Sequence, residues 1–420
     1  MSQKFIVNGG GKIKGEIEVK GAKNYALKAL AASLLTEEKS TISNLPQIVD
    51  VPVMIELMKK MGAVVKETGP GEIKIDAKKI SDNDLDPKEV RRVRASIVFS
   101  GPLLARTGEI TIPHPGGDII GKRPIDFFLE GFKEMGAKIF IDDLTYKIKT
   151  KGRLKGTKIF FPKISVTGTE TLAMAATLAK GKTVLENCAM EPEVVCLLES
   201  LNQMGAKIKG IGSSLLEIEG VDSLKGGNFK IIPDRLETGT FIMMGLMNNS
   251  EIKVNNCDIN HIGALLDRLK QAGAKLEIGN CYIKTIPQKT KLKATGIQTH
   301  EYPGFATDLQ PMYTLLMTQA QGISMIHEPI FEGRLYFTDI LNRMGADIIM
   351  CDPHRVIVNG PTTLYPRQIE SPDIRAGVTL LLAAVMAKGK STIEQAQIID
   401  RGYEDIDGRL RQVGVDILRA

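Results

Sequence analysis

The chain has 420 residues, 43% hydrophobic and 25% charged, and its 55 basic and 49 acidic residues leave a net charge of +6. That length allows two domains with sizeable cores. So mild and dispersed a positive charge, with 5% aromatic residues, does not imply a nucleic-acid partner, but it suits small anionic substrates. Cys188, Cys196, Cys257, Cys281 and Cys351 form no CxxC pair, which argues for a reduced, cytoplasmic protein without a zinc site or disulfide framework. Met1 to Lys12 has no apolar core of the kind a signal peptide needs. The best uncharged run, Ala376 to Ala387, is well short of the ~20 apolar residues that span a bilayer, so no membrane association is expected.

Along the chain one unit recurs. A small-residue helix runs into a short strand: Leu30–Leu35 into Ser40–Asn44, Leu103–Ala105 into Glu109–Ile112, Ala175–Ala179 into Thr183–Asn187, Met244–Met247 into Glu251–Asn255, Leu315–Ala320 into Ile323–His327, and Leu380–Ala387 into Ser391–Glu394. A second, amphipathic helix follows, as at Pro52–Lys60, Phe127–Glu134 and Leu265–Gln271. It ends in Met61-Gly62-Ala63 or its echoes at Gly136, Gly205, Gly273, Gly345 and Gly414, separated by 74, 69, 68, 72 and 69 residues. Each glycine fits a helix C-cap with positive φ. Short strands such as Lys138–Ile141 and Lys207–Ile211 come next. The unit is strand–helix–strand–helix–strand–strand, and six copies make an α/β protein of two three-unit domains. The Ala- and Leu-rich helices lack a polar face, so they are expected inside each domain with sheets around them.

Between the second and third of these strand–helix junctions lies the most irregular stretch, Pro113 to Asp126. Three prolines and three glycines exclude a regular helix or central strand there. It carries Asp118 and ends at Arg123-Pro124, where proline suits a first helical turn. On composition alone it fits a surface turn with a solvated carboxylate as well as a mobile functional loop.

Polar residues concentrate at the starts of the buried helices: Lys23-Asn24; Arg91, Arg92 and Arg94; Ser165 to Glu170; Asp234-Arg235 with Glu237; Thr307-Asp308 with Gln310; and Asp373-Ile374-Arg375. The second helices are expected to start at Asp50, Arg123, Glu191-Pro192-Glu193, Asn260-His261, Glu332 with Arg334, and Arg401. N-capping accounts for Ser165 and Thr307. It does not account for Lys or Arg at a positive dipole end, which is unfavourable unless an anion is present. Two domains with like helix ends facing each other would focus Lys23, Arg94, Arg123, Arg334, Arg375 and Arg401 on one anion-binding cleft.

Nine ordered motifs then carry a family resemblance across the whole chain: Gly21-Ala22-Lys23-Asn24, Val93-Arg94-Ala95-Ser96, the Pro-Gly-Gly-x-x-x-Gly-x-Arg-Pro loop at 115–124, Lys163-Ile164-Ser165-Val166, the run from Pro233 to Thr240, Phe305-Ala306-Thr307-Asp308, Phe331-Glu332-Gly333-Arg334, Asp373-Ile374-Arg375-Ala376 and Asp400-Arg401-Gly402-Tyr403. The chain resembles the UDP-N-acetylglucosamine enolpyruvyl transferases. The sister enolpyruvylshikimate-phosphate synthases would carry a Gly-Ser-Lys-Ser type start in place of Gly-Ala-Lys-Asn. The resemblance implies two inside-out α/β domains, one from about Ala22 to Phe229 and one from residues 1–21 plus about 230–420, with hinges at Gly21-Ala22 and Lys230–Asp234.

It also implies transfer of the enolpyruvyl group of phosphoenolpyruvate to the sugar 3′-hydroxyl, by addition and elimination through a tetrahedral ketal. Asp118 matches the family's proton donor and Asp308 the acceptor of the hydroxyl proton. Lys23, Arg123 and Arg401 match the phosphoenolpyruvate ligands, with Arg94, Arg334, Asp373 and Arg375 nearby. Asn24 and Glu332 match residues that position the sugar. Arg123, Pro124, Ile125, Asp126 and Phe127, with Lys163, Ile164, Ser165, Val166 and Ile330, match contacts to the uridine diphosphate sugar. No cofactor or metal is implied, and the expected assembly is a monomer or weak dimer.

Most members of that family carry Cys where this chain has Asp118. A carboxyl has a free pKa of about 3.9 against about 8.5 for a thiol. To donate a proton at neutral pH it must be raised by desolvation, against the pull of nearby arginines. The epoxide fosfomycin alkylates the thiolate at that position, so an Asp implies insensitivity. Competing readings are an enolpyruvyl transferase for another phosphorylated acceptor, such as shikimate 3-phosphate, a non-catalytic nucleotide-sugar binder, and a repeat protein that binds nucleic acid. His114 is read as a tuner of Asp118 or a solvated loop residue, Cys196 as a small core residue, and Glu191 and Glu193 as a solvated helix start or a reach to the other domain. His261, His300, His327 and His354 are given no role.

Overall fold

The computed structural model describes residues 3–114, 116, 120–121, 124–142 and 145–420. Asp118 and Arg123 lie outside the described residues. Two compact units form. One comprises Met1–Lys20, Asp118–Lys122 and Pro233–Ala420, the other Gly21–Gly117 and Arg123–Ile232.

The third repeat shows the unit whole. Strand Lys158–Phe160 runs parallel to Lys182–Glu186, which pairs antiparallel with Leu215–Glu219, itself antiparallel to Lys207–Lys209. A parallel pair needs a crossover, and helix Val166–Thr177 supplies it. Helix Pro192–Gln203 then returns the chain to the far edge. The fifth repeat, Ile297–Gln298, Gly322–His327, Asp347–Asp352 and Arg355–Gly360, has the same strand order.

Three sheets are completed from a distance. The first repeat takes its leading strand, Asn228–Lys230, from the end of the same unit, parallel to Ser40–Ser43. The fourth takes Gly15–Glu18, parallel to Ile252–Asn255. In the sixth, Lys4–Gly9 lies between Gly389–Glu394 and Asp416–Arg419 and pairs antiparallel with both. The second repeat departs from the pattern. Its leading strand is a single bridge between Asp84 and Thr111. The chain turns there because Asp86 caps helix Pro87–Arg92 through Lys88 N, and Pro87 cannot continue a ladder.

One helix of each repeat is largely buried, the second repeat's only over its first five residues. These are Lys23–Ala32, Ser100–Thr107 and Val166–Thr177 in one unit, and Arg235–Met247, Gln310–Met317 and Ile374–Met386 in the other. Every residue from Ile374 to Val385 is buried. Small residues let these helices approach. A Cβ on Gly101 would stand 2.4 Å from the Thr171 carbonyl oxygen of the neighbouring helix. The second helices are amphipathic. Asp126–Glu134 buries Phe128, Leu129 and Phe132 and exposes Glu130, Lys133 and Glu134. All six repeating glycines have positive φ, from +81° at Gly273 to +105° at Gly345.

Several boundaries differ from the sequence reading. The helix expected at Arg123 begins at Asp126. Helix Phe337–Arg343 begins beyond Arg334, and Arg401 ends the 3-10 turn Ala396–Arg401 rather than opening the helix Ile406–Gln412. Strand Lys207–Ile211 stops at Lys209, because Gly210 turns at φ +79°.

The N-terminal arm fills two sheets of its unit, with Phe5, Val7, Ile17 and Val19 fully buried. Phe5→Ala is expected to cost about 3–5 kcal/mol, a large share of a typical stability of about 5–15 kcal/mol. Removing residues 1–19 is expected to abolish the cooperative thermal transition. A truncated chain that melts within a few degrees of the full chain would contradict this.

Candidate functional site

In the unit that contains Pro233–Ala420, one carboxylate organises the polar residues. Asp308 sits in the 3-10 turn Thr307–Leu309, which leads into the buried helix Gln310–Met317. Its Oδ1 accepts from Arg334 Nη2 at 2.7 Å and its Oδ2 from Arg375 Nε at 3.1 Å. Both guanidiniums are nearly buried, whereas the Asp308 side chain keeps 27% of its surface exposed. Burial pushes its carboxyl up, but the charges and hydrogen bonds of Arg375 and Arg334 outweigh that and hold it well below the usual carboxylate range.

Arg375 lies in the first turn of Ile374–Met386. That helix start is capped by Asp373, whose Oδ1 accepts from Arg375 N at 2.8 Å and Ala376 N at 3.0 Å. The guanidinium stacks on the ring of Tyr403, 5.4 Å from its centre. The buried Tyr403 hydroxyl meets Thr240 Oγ1 at 2.9 Å. Burial would lower the Arg375 pKa, but Tyr403, Asp308 and Asp234 push it above its ordinary value. Arg375 Nη1 and Arg334 Nε are buried donors without a hydrogen-bond acceptor among the described residues. The cluster therefore has donors to spare for an anionic ligand.

The half-buried Arg401 follows Asp400, which Arg419 grips at 2.6 and 2.9 Å. The half-buried Glu332 lies on the turn before Arg334. A Cβ on Gly121, at φ +126°, would stand 2.6 Å from Glu332 Oε2, and Gly333 N donates to Ile120 O at 2.9 Å. A Cβ on Gly333 would likewise stand 2.8 Å from the Ile120 carbonyl carbon. Ile120 and Gly121 thus rest on the Glu332-Gly333 turn, and two glycines make room for the contact.

In the other unit, Lys23 opens helix Lys23–Ala32 and Asp50 opens helix Asp50–Lys60. Lys23 Nζ meets Asp50 Oδ2 at 2.7 Å, with both side chains nearly buried. Asn24 beside it is half-buried. Tyr25 donates toward the Cys196 carbonyl and shares a 2.6 Å hydrogen bond with Ser200. Arg94 begins the 3-10 turn Arg94–Phe99. Burial and Asp126 push the Tyr146 phenol up, and Arg94 opposes them, so these groups share one neighbourhood. The His114 ring packs edge-on against Tyr146 at 4.4 Å. Ser165 caps Val166–Thr177 by accepting from Gly168 N at 3.0 Å. Lys163 before it is exposed, and Ile164 and Val166 are half-buried. Ile125 is buried, Pro124 and Asp126 exposed, and Phe127 half-buried.

Several sequence readings change. The anion demanded by cations at helix starts is in part the chain's own carboxylate, Asp50 for Lys23 and Asp308 for Arg375. Thr307 does not cap its helix. Its hydroxyl donates to Glu328 Oε2 at 2.7 Å. Glu191 and Glu193 are not solvated. They are 8% and 2% exposed, near Glu170, whose carboxyl burial pushes up to about 7 although Lys28 Nζ lies 3.2 Å away. Cys196 is half-buried rather than core. Sequence reasoning missed Glu328 and His354, which meet each other and, for Glu328, Thr307 across more than twenty residues. Among the described residues no group of three or more His, Cys, Asp or Glu is placed to hold a metal ion. Nor is any helix of the described residues long and apolar enough to cross a membrane.

Residues 7–410 match the EPSP synthase (3-phosphoshikimate 1-carboxyvinyltransferase) family. The chain is 45% identical to the UDP-N-acetylglucosamine 1-carboxyvinyltransferase of Koribacter versatilis, over 99% of this chain and 96% of that one. It is 41% identical to the protein of that name from Desulforapulum autotrophicum, over 99% of each. Among solved structures it superposes on the enolpyruvyl transferase NikO from Streptomyces tendae with a TM-score of 0.91 at 22% identity, covering 100% of this chain and 99% of that one. The EPSP synthase from Acinetobacter baumannii follows with a TM-score of 0.78 at 19% identity over all of both chains, and at such identities these two likenesses speak for the fold alone. Together with the six-repeat architecture and the Asp308–Arg334–Arg375 cluster, this full-length similarity leads to one conclusion: the chain belongs to the EPSP synthase family and, within it, to the UDP-N-acetylglucosamine 1-carboxyvinyltransferases.

Proposed function

We propose that this chain transfers the enolpyruvyl group of phosphoenolpyruvate to the 3′-hydroxyl of UDP-N-acetylglucosamine and releases phosphate, the first committed step of peptidoglycan synthesis. The observation that carries the reading is full-length identity of 40–45% to proteins named for that reaction. Its setting is the cytoplasm, in keeping with five cysteines that include no CxxC pair.

The chemistry is addition followed by elimination. The sugar hydroxyl attacks C2 of phosphoenolpyruvate while a proton arrives at C3. Loss of a proton and of phosphate from the resulting ketal restores the alkene. Asp118 is the proposed donor to C3, and Asp308 accepts the hydroxyl proton. With both guanidiniums on it, Asp308 is ionised at any working pH but is a weak base. It gains basicity as Arg334 and Arg375 turn donors toward anionic substrate. Lys23, Arg123 and Arg401, with Arg94 nearby, hold the phosphate and carboxylate of phosphoenolpyruvate. Lys23 must then share its charge between Asp50 and substrate. Asn24, Glu332 and Asp373 position the reacting groups. Arg123 to Phe127, Lys163 to Val166, and Ile330 contact the nucleotide sugar. Transfer to shikimate 3-phosphate is the second reading, supported by the name of the family that residues 7–410 match.

Phosphate release from phosphoenolpyruvate is expected to require UDP-N-acetylglucosamine, and Lys23→Ala or Asp308→Ala to lower kcat by about 10²–10³-fold. Faster release with shikimate 3-phosphate would move the chain to the sister reaction. Preincubation with fosfomycin should leave the enzyme active. Asp118→Cys should make it drug-sensitive and shift the alkaline limb of its pH–rate profile upward, because a thiol keeps its proton to higher pH. Drug-induced inactivation of the unaltered chain, with a mass adduct on Asp118, would refute this assignment. Because the Asp308 carboxyl is depressed, it is already deprotonated above the ordinary carboxylate range. Its stabilising contribution is complete there and is lost only as pH falls toward its folded value. Asp308→Asn is therefore expected to lower kcat/KM across about pH 5–8 without moving the acid limb. A shift of that limb by a unit or more would count against the depressed value.

A further inference from the structure

We propose that Glu328 is a positioning residue for this reaction: it ties the Thr307-Asp308 turn to the Ile330–Arg334 turn and so sets the geometry of the Asp308–Arg334 pair. The inference rests on the reading of those two residues as part of the reaction site.

Glu328 is fully buried, directly after strand Gly322–His327. Its carboxylate accepts three hydrogen bonds. Oε2 takes the Thr307 hydroxyl at 2.7 Å, and Oε1 takes Ile330 N at 3.0 Å and Phe331 N at 3.2 Å. Thr307 is the neighbour of Asp308. Ile330 and Phe331 open the turn that carries Glu332, Gly333 and Arg334. Phe331 also lies under the Arg334 guanidinium, 5.3 Å from ring centre to Cζ. One carboxylate therefore holds the turns of both partners of the 2.7 Å Arg334–Asp308 bond.

The Glu328 backbone is itself pinned. Its N donates to His354 O at 2.7 Å, and His354 Nδ1 donates to its carbonyl at 2.7 Å. His354 is in turn held by Asp352 Oδ1, which accepts from His354 N at 2.8 Å. A buried carboxylate is unfavourable unless its lone pairs are used. Here each of its three donors among the described residues belongs to a turn that bears a candidate site residue. An acceptor-only side chain suits three converging donors. Glutamine keeps one acceptor oxygen but turns an N–H₂ toward the Thr307 hydroxyl, and it loses the charge-assisted part of each bond.

The test uses the full chain with phosphoenolpyruvate and UDP-N-acetylglucosamine. Thr307→Val and Glu328→Gln are each expected to lower kcat about tenfold, with KM for the sugar nucleotide within about threefold and Tm within a few degrees. The double variant should be no slower than the slower single, because both cut the same link. Glu328→Ala should lose about a hundredfold or more, and Glu328→Gln should recover part of that. Asn342, whose side chain pairs with Ile348 N and O elsewhere in the unit, gives a structural control. Asn342→Ala should lower Tm with kcat unchanged. The proposal is overturned if Thr307→Val and Glu328→Gln keep kcat within twofold, or if their losses multiply and track Tm. A wild-type chain without sugar-dependent phosphate release overturns the functional reading instead. In that case a crystal structure of Glu328→Ala decides the positioning claim alone: an opened Arg334–Asp308 contact supports it, and one kept at 2.7 Å sinks it.

Discussion

A helix that is apolar on every side can be accommodated only where every side is covered. Six such helices set the terms for this molecule. Helix Ile374–Met386 buries a continuous run from Ile374 to Val385, which no single sheet face could shelter. Each unit gathers three of these helices among its amphipathic helices and short sheets. The sheets then need complete edges, and the chain completes them from far away. Lys4–Gly9, Gly15–Glu18 and Asn228–Lys230 are each too short to persist alone, yet each supplies a row of a ladder beside a strand more than a hundred residues distant.

The same constraint decides where charge sits. Along their lengths the buried helices admit few ionised groups, so the polar residues collect at their N-terminal ends. A cation there opposes the helix dipole and needs an anion nearby. The fold supplies that anion as Asp50 for Lys23 and as Asp308 for Arg375. These pairs keep the cations ordered and desolvated, and they also set the chemistry. A carboxylate shared by two buried guanidiniums stays ionised and hydrogen-bonded, and Arg375 Nη1 and Arg334 Nε keep no acceptor among the described residues. On the proposed reading, this arrangement would exchange a protein anion for a substrate anion.

Support for this cluster comes from behind it. Asp373 caps the helix that presents Arg375, Tyr403 lies under its guanidinium, and Glu328 receives the turns on either side of the Asp308–Arg334 bond. None of these groups needs to touch a ligand to matter. If Asp308 serves as the proposed acceptor, its direction must be fixed, and Arg334, Arg375 and the groups around them hold it.

Much of this was legible in the sequence. The repeat of Met-Gly-Ala echoes gave six units, because a helix end needing positive φ selects glycine wherever it recurs. The missing polar face of the small-residue helices placed them inside. The motifs Phe305 to Asp308, Phe331 to Arg334 and Asp373 to Ala376 nominated the three residues that the structure brings together. What the sequence could not disclose depends on partners distant along the chain. Arg401 was read as a helix start because a cation beside glycine looks the same at either end of a turn. Glu191 and Glu193 could be read as a solvated helix start or as a reach to the other domain, because burial is not a property of a residue but of what folds over it. Thr307 fits a cap by local rule, and only tertiary packing brought Glu328 close enough to claim its hydroxyl. Local chemistry, written in periods of a few residues, was determined by the sequence alone. The pairing of each charge was decided only in the folded chain, because electrostatic and hydrogen-bond partners are chosen by distance in space.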